Sequence, residues 1–531
     1  MTDKNKTLSK YYVYGYCLFL SAIYLLFCTE SSPLYPFNVW VDANAFFTMG
    51  KGMMNGKVLY RDLFEQKGPL LYFIHGLSYL ISHRTFLGVY IFEVISFSIF
   101  LFYSHKLILL FLDIKYSIIS LPLITAIILN MRNFSHGDSA EEFCLPLMAI
   151  SLFYLIRYFK NTSSDLVSGR VLLINGIIAG CVLWIKFTLL GFWFAWMASV
   201  FFCMIFNNTN RGSASVASDV NYTSELPANN NFLHAIKACF IFLLGMLLAT
   251  VPWLIYFGIN HAIAPWIDTY IFVNFHSYPN KMPLMQRVLY ILFNINKNLF
   301  RNWIFGIISY LGVITFIISR KYIKSVLNRI CFFLCFIFLS LGVYGGGRAY
   351  IYYFVIFSPF VTFGFIVLFD LLNLYMNKVI SFRITAVIVL ISLLITYPLT
   401  FSYNHNTYLL KYHKGDLVQY EYASIMKKTP NATLLNYGSL DAGFYTVAGI
   451  TPNIRFFQRL NIAYNMFPLN IDEQNRYIKD RMTKYVIIRE NALGESGLRY
   501  IPHLYENYRM VTVKEQMYEG NNYNYYLFKL K

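Results

Sequence analysis

The sequence predicts a polytopic α-helical membrane protein with a small C-terminal α/β domain outside the membrane. Of its 531 residues, 57% are hydrophobic and only 13% are charged, whereas about a quarter of a typical soluble domain is charged. Several apolar runs approach or exceed the roughly 17–25 residues that a helix needs to cross a bilayer; they are residues 12–28, 86–104, 116–130, 235–257 and 384–401. This composition excludes an ordinary soluble enzyme.

The net charge of +18 would on its own suggest a nucleic-acid-binding protein, but the apolar runs exclude that class. Lys and Arg concentrate in short connections between the runs, and basic connections stay in the cytoplasm during insertion. These connections are residues 1–10, 105–115, 157–170, 320–329 and 378–383. We therefore expect a multi-pass protein of the plasma (inner) membrane, with its N-terminus in the cytoplasm. The Ile-, Asn-, Lys- and Tyr-rich composition is typical of an AT-rich bacterial genome.

Segment 68–82 decides the topology of everything that follows it. It is apolar but short, and it carries Gly68-Pro69 at its start and His75-Gly76 in its middle. We therefore expect a helix that lies on the outer surface. Residues 207–233, rich in Asn, Ser and Thr, are expected to form a flexible cytoplasmic loop. The chain then crosses the membrane about eleven times, near 12–28, 86–104, 116–130, 143–157, 171–187, 190–206, 235–257, 302–319, 330–344, 351–372 and 384–401.

The composition changes to that of a soluble domain at about residue 402. Alternating and apolar patterns predict strands at 432–437, 484–489, 508–513 and 524–530, and helices at 416–428 and 471–481. The sequence thus predicts two domains, a transmembrane module over 1–401 and an extracytoplasmic α/β domain over 402–531.

Acidic residues crowd the two first outer loops of this topology. The first loop contains Asp42, Asp62 and Glu65, and the second contains Asp138, Glu141 and Glu142. A carboxylate in an apolar outer cleft can act as a general base toward an acceptor hydroxyl. The alternative is that these acids cap helices and pair with Arg61, Lys67 and Arg132.

Basic residues on the same side are suited to hold a phosphate group. Four are placed there: Arg61, Lys67, Lys186 and Arg348. No acid lies near Lys186 in the sequence, so we interpret it as the partner of a lipid phosphate, with snorkelling of its side chain as the alternative. We count Tyr352 in YGGGRAYIYYF, and His276 with Asn274 and Tyr278 in IFVNFHSYPN, as substrate-binding candidates. An interfacial aromatic belt is the alternative for the last three.

Three motifs carry a family resemblance. The first-loop motif is Asp42-x3-Phe46-x3-Gly50-x5-Gly56-x3-Tyr60-Arg61-Asp62-x4-Lys67-Gly68-Pro69-Leu70-x-Tyr72. The second acidic motif is Ser139-Ala140-Glu141-Glu142-Phe143, and a lysine motif reads Gly180-x5-Lys186. These three motifs resemble motifs of the integral-membrane glycosyltransferases of the GT-C fold, in the branch of protein mannosyltransferases, lipid A aminoarabinose transferase and bacterial Rgt-like enzymes.

The resemblance implies transfer of a sugar from a polyprenyl-phosphate donor to a glycan, lipid or protein acceptor at the outer membrane face. A hexosyl or pentosyl group would then move with inversion. In that case Asp42 would be the catalytic base, Lys186 would meet the lipid phosphate, and Asp62 and the second acidic motif would shape the site. Asp138 is the candidate ligand of a divalent cation, Mg²⁺ or Mn²⁺. Whether such a cation takes part stays open, because the first loop contains no tight Asp-x-Asp pair and the resemblance implies that some members of the fold work without a metal.

Two other functions remain open at this point. A polymerase or ligase that joins lipid-linked glycans would use outer-face Arg and His residues and would need the first-loop acids less. A sugar or lipid transporter would place ionisable groups near the bilayer midplane, where only Glu93 lies well within a predicted span. The sequence does not specify the sugar or the acceptor.

Overall fold

A computed structural model describes residues 3–160, 167–212, 228–376, 381–491, 497–518 and 520–531 of the chain. The middle of the predicted cytoplasmic loop, residues 213–227, lies outside these ranges. The helices of the membrane part are α1 (Asp3–Cys28), α2 (Val41–Met54), α3 (Pro69–Ile81), α4 (Leu87–Ile108), α5 (Ile114–Leu129), α6 (Ala140–Lys160), α7 (Gly169–Lys186), α8 (Gly191–Gly212), α9 (Ala228–Ile259), α10 (Ile263–Ile267), α11 (Leu284–Arg301), α12 (Trp303–Ile318), α13 (Val326–Tyr344), α14 (Val361–Met376) and α15 (Phe382–Tyr403).

The helices confirm a multi-pass membrane protein. Within the described ranges, eight helices are long and apolar enough to cross a membrane. The number is nine if α11 and α12, between which the chain bends by 118°, form one span. The difference from the eleven predicted spans arises at three places. Helices α5 and α12 have 16 residues each, about 24 Å of helix against a hydrocarbon core of about 30 Å. The third place is the continuous apolar stretch Gly169–Phe206, which is one candidate span here but was predicted as two.

That apolar stretch contains a reversal of the chain. It is 38 residues long, about twice what one crossing needs, and a 3₁₀ turn at Phe187–Leu190 separates α7 from α8. Gly176 of α7 and Trp196 of α8 both contact Phe242 of α9. Twenty residues of straight helix would hold them about 30 Å apart, so α7 and α8 run in opposite directions.

Close backbone contacts through glycine position the first outer loop. A Cβ atom on Gly50 of α2 would lie 2.4 Å from the backbone nitrogen of Gly76 in α3, so these two short helices cross without a side chain between them. A Cβ atom on Gly68 would lie 2.0 Å from the carbonyl oxygen of Trp184. Because only glycine permits that approach, Lys67 is brought beside the end of α7, where Lys186 lies.

The C-terminal part forms a four-stranded sheet of order β1-β2-β4-β3. Strands β1 and β2 are parallel, and the other neighbours are antiparallel. All four predicted strands and both predicted helices are confirmed, although β3 and β4 extend further and meet in a hairpin. The elements are β1 (Leu434–Tyr437), β2 (Tyr485–Asn491), β3 (Tyr508–Tyr518) and β4 (Asn521–Leu530), with α16 (Val418–Met426), α17 (Phe444–Ala448), α18 (Leu469–Lys479) and α19 (Leu504–Asn507).

Hydrogen bonds dock this part onto helix α2. Lys51 Nζ donates to the carbonyl oxygen of Tyr445 at 2.7 Å, and Thr48 Oγ1 donates to Asp441 Oδ2 at 2.7 Å. Burial lowers the pKa of Lys51 to about 7, although the Asp441 carboxylate opposes that shift. The C-terminal sheet is therefore held over the first outer loop.

The orientation can be tested by cysteine labelling. Lys414, after α15, and Lys324, before α13, are both exposed. In sealed cells we expect a membrane-impermeant maleimide to label the Lys414→Cys variant, and to label Lys324→Cys only after permeabilisation. The eight native cysteines are buried or half-buried, so the unmodified chain gives the background. Labelling in the reverse pattern would invert the topology.

Candidate active site

Two adjoining cavities lie beneath the C-terminal sheet. The larger, of about 960 Å³, is enclosed by the first outer loop, the ends of α5, α11 and α15, and the edge of the sheet. The smaller, of about 390 Å³, lies between the ends of α7 and α13 and the π-helical segment Asp268–Ser277. Both are lined by Gln66, Lys67 and Tyr278. These three residues therefore form the wall at which the cavities meet.

Asp42 lines the larger cavity from the first turn of α2. Tyr352 donates its hydroxyl to Asp42 Oδ2 at 2.8 Å, which holds the carboxylate in one orientation. Trp40 packs edge-on against Tyr352, with ring centroids 5.2 Å apart, and stacks on His136. Within the described ranges no group hydrogen-bonds Asp42 Oδ1. One carboxylate oxygen therefore faces the cavity, as a general base requires.

The smaller cavity is strongly cationic. Its lining contains no Asp or Glu, whereas five basic side chains reach it: Lys67, Lys186, Lys281, Arg287 and Arg348. Burial alone would lower the pKa of Lys67, but the carboxylates of Glu65 and Asp42 outweigh burial and raise it, so this lysine stays charged. The Nε atom of Arg287 is buried without a hydrogen-bond partner. Such a cavity is suited to bind an anion.

Lys186 is paired, which corrects its interpretation from the sequence as a lysine without an acidic neighbour. Its ammonium group forms a buried ion pair with Glu141 at the start of α6. The same nitrogen lies 3.4 Å from the centroid of the Tyr353 ring. The pairing was invisible in the sequence because 45 residues separate the two side chains. Lys186 still lines the smaller cavity, with Glu141 behind it.

Arg348 connects the membrane part with the C-terminal part. Helix α13 ends at Tyr344, and Gly347, with φ +71°, turns the chain inward. The Nε atom of Arg348 donates to the carbonyl oxygen of Tyr278 at 2.6 Å, and its guanidinium lies 4.2 Å from the Tyr278 ring centroid. Its Nη1 also donates to Asn461 at 3.3 Å. Arg348, a predicted substrate-binding residue, thus lines the smaller cavity, and so do the predicted residues His276 and Asn274.

Arg61, predicted to hold a phosphate, and Asp62, predicted to shape the site, lie outside the two cavities. They bond each other, with Arg61 Nε 2.8 Å from Asp62 Oδ1. Asp62 also accepts from the backbone of Val58 at 2.8 Å, and Arg61 donates to the carbonyl oxygen of Asn260. The structure therefore favours the alternative of local pairing and loop bracing for these two residues.

The three acids of the second outer loop, Asp138, Glu141 and Glu142, also lie outside the cavities. Asp138 Oδ1 lies 2.9 Å from His75 Nε2, and its backbone N–H donates to Glu93 at 2.8 Å. Burial raises the pKa of Asp138, and His75 opposes that shift. Glu142 is buried next to this group. Within the described ranges no group of three or more His, Cys, Asp or Glu side chains is arranged to hold a metal ion.

Sequence reasoning missed several residues that line the cavities. Lys281 and Arg287 flank the start of α11, whose exposed apolar side chains, such as Leu289 and Phe293, recur with helical spacing. That periodicity could have identified a surface helix beside the site. Nothing local indicated the residues of the C-terminal sheet that cover the larger cavity, namely Arg489, Tyr518 and Tyr523.

The buried ion pair between Lys186 and Glu141 predicts how two variants change the stability of the protein. Lys186→Met should lower the free energy of unfolding by about 3–5 kcal/mol, because Glu141 would be left as an uncompensated buried charge. The double variant Lys186→Met/Glu141→Gln removes both charges and should lie much closer to the unmodified protein. Thermal unfolding in detergent would measure both. Equal losses in the single and the double variant would contradict the pairing.

Comparison with solved structures identifies the fold. ArnT from Cupriavidus metallidurans bound to undecaprenyl phosphate aligns with a TM-score of 0.54 and 11% identity, over 96% of this chain and 98% of that one. The archaeal oligosaccharyltransferase AglB from Archaeoglobus fulgidus, in complex with an inhibitory peptide and a dolichol-phosphate, aligns with a TM-score of 0.47 and 15% identity, over 90% of this chain and 69% of that one.

The sequence comparisons cover less of the chain. The family model of the competence-induced protein Ccs4 N-terminal domain matches residues 2–215. No curated protein matches. The structural likeness to ArnT confirms the fold that the first-loop motif implied: the chain has the GT-C fold of integral-membrane glycosyltransferases.

Proposed function

We propose that this protein transfers a sugar from a polyprenyl-phosphate donor to a cell-envelope acceptor, with Asp42 as the general base. The observation that carries the proposal is the junction of two unlike cavities at Lys67. One presents a carboxylate, and the other presents five cations and no acid. A displacement that creates a leaving phosphate needs both features side by side.

The lipid phosphate would occupy the smaller cavity. Lys67, Lys186 and Arg348 approach it from three separate parts of the chain. Phe272 and Phe275 of the π-helical segment are more than half exposed beside it, which suits contact with an isoprenoid chain. ArnT, which shares the fold, was solved with undecaprenyl phosphate. These features support a lipid-linked phosphate as the donor group.

The acceptor hydroxyl would approach from the larger cavity. Its oxygen attacks the anomeric carbon while Asp42 Oδ1 takes its proton, and the bond from that carbon to the phosphate oxygen breaks. The electron pair leaves with the phosphate, whose charge the cations of the smaller cavity stabilise. A single displacement of this kind inverts the anomeric centre. The proton then passes from Asp42 to water in the cavity.

Asp42→Asn tests the base assignment. An amide cannot accept the proton, so transfer should fall by at least about a hundredfold, with folding unchanged. The assay would incubate the purified protein with a panel of polyprenyl-phosphate hexoses and pentoses and an envelope fraction, and would follow release of polyprenyl phosphate. Asp62→Asn is the matched comparison in the same loop, and it should keep most of the activity. Transfer at the original rate by Asp42→Asn would exclude Asp42 as the base.

The cationic cavity can be tested by binding alone. The double variant Lys281→Gln/Arg287→Gln should weaken binding of undecaprenyl phosphate about tenfold or more, and the remaining affinity should depend less on salt. Lys297→Gln, an exposed residue on the same helix α11, serves as the control. Titration of each variant in detergent gives the dissociation constants. Unchanged affinity in the double variant would place the lipid phosphate elsewhere.

A further inference from the structure

The roof of the larger cavity contains an arginine that packs against two neighbouring aromatic rings. Arg489 lies near the end of β2, and its guanidinium carbon is 5.3 Å from the ring centroid of Tyr518 and 4.9 Å from that of Tyr523. Its Nη1 atom is buried and has no hydrogen-bond partner. All three residues line the cavity. The aromatic rings thus orient the cation, and within the described ranges no carboxylate is paired with it.

Two further arginines lie together on the opposite wall. Arg132 follows α5 and Arg301 ends α11, and the backbone N–H of Arg132 donates to Asn302 Oδ1 at 3.0 Å. That bond brings the two chain segments side by side. Both side chains are exposed and line the cavity. No acceptor for either guanidinium lies among the described residues.

The acids of this cavity do not neutralise its arginines. Among the residues that the structure describes, the acids in its lining are Asp42 and Glu65. Glu65 accepts hydrogen bonds from the hydroxyl of Tyr72 and from the backbone N–H of Lys67. Asp42 is held by Tyr352, as described above. Three arginines therefore remain available to a ligand, and the guanidinium fork matches phosphate and carboxylate groups.

The same lining is rich in aromatic rings. A hexose or polyol unit presents C–H groups that pack on such rings and hydroxyls that bond tyrosine oxygens. The volume of about 960 Å³ falls within the range of sites that enclose a small organic ligand. The rings belong to Trp40, Tyr278, Tyr350, Tyr352, Tyr403, Tyr518 and Tyr523.

We infer that the acceptor is an anionic glycan, a chain of hydroxyl-bearing units that carry phosphate or carboxylate groups. This inference rests on the proposed function, since it assigns the larger cavity to the acceptor. One unit packs on the tyrosines and offers its hydroxyl to Asp42. The anionic groups of that unit or of its neighbour meet Arg489 on the roof and Arg132 and Arg301 on the opposite wall. A basic peptide is disfavoured by the same charges.

Direct binding measurements test the inference without any transfer reaction. The full-length protein in nanodiscs would be titrated with a glycerol-phosphate hexamer, a hexameric uronic-acid oligosaccharide and neutral maltohexaose. We expect at least one of the two anionic oligomers to bind about tenfold or more tightly than maltohexaose, and its affinity to fall with added salt. The comparison of the two anionic oligomers distinguishes phosphate from carboxylate. Equal binding of all three oligomers, or tighter binding of maltohexaose, would overturn the inference.

Two variants connect this binding to the arginine. Arg489→Gln should reduce affinity for the preferred anionic oligomer about tenfold and leave maltohexaose binding unchanged. Arg489→Lys, which keeps the charge, should show an intermediate loss. Arg509→Gln removes an exposed arginine from strand β3 of the same sheet and should have no effect. An Arg489→Gln protein that binds the anionic oligomer as tightly as the unmodified one would contradict the assignment.

The proposed function can fail separately from this inference. Arg489→Gln should leave the affinity for undecaprenyl phosphate unchanged, because Arg489 does not line the smaller cavity. Anionic-oligomer binding that depends on Arg489, together with no release of polyprenyl phosphate from any donor, would reject the transferase and keep the glycan site. Transfer to neutral and anionic acceptors at equal rates would reject the acceptor class and keep the transferase.

Discussion

A single buried cation, Lys186, joins the elements on which the site depends. It is paired with Glu141 of α6, and its ammonium lies over the ring of Tyr353. Burying an ion pair costs more than its attraction returns unless other contacts stabilise both charges. The Tyr353 ring supplies such a contact, and the preceding residue, Tyr352, holds Asp42. The pair therefore aligns α6, α7 and the 3₁₀ segment Ile351–Phe360 behind both cavities.

The second constraint is close backbone packing. Gly50 on Gly76 and Gly68 on Trp184 leave no space for a side chain, so the first outer loop lies directly against the ends of the membrane helices. Asp42 and Lys67 enter the site from this one loop, at the two ends of the packed unit. The distance between Asp42 and Lys67 is thus determined by helix crossings, which are stiff, and not by flexible side chains.

The C-terminal sheet completes the site. Lys51, Thr48 and Arg348 hold it to the membrane part through hydrogen bonds to Tyr445, Asp441 and Asn461. Its strands then cover the larger cavity with an arginine and two tyrosines. The two cavities differ in their walls: the edge of the sheet covers the larger one, whereas the smaller one lies between the ends of membrane helices.

Much of the architecture could be predicted from local pattern. Apolar runs set the membrane class, basic connections indicated an orientation, and alternation predicted all four strands of the sheet, because each depends on a short stretch of chain. It was harder to predict the short helices α5 and α12 and the bend after α11. Whether an apolar run spans a bilayer depends on its length and its packing together.

What the sequence by itself determined is the set of chemical groups: outer-loop carboxylates, basic residues near the outer helix ends, and a first-loop motif that implied the fold. Only the tertiary structure decided which of them meet. It brought Asp42, Lys67, Lys186 and Arg348 to two joined cavities and left Arg61 and Asp62 bonded to each other. It also paired Lys186 with Glu141 and placed Arg489 in the lining of the cavity that contains Asp42. Such contacts join residues far apart in the chain, and only helix crossings and domain docking bring them together.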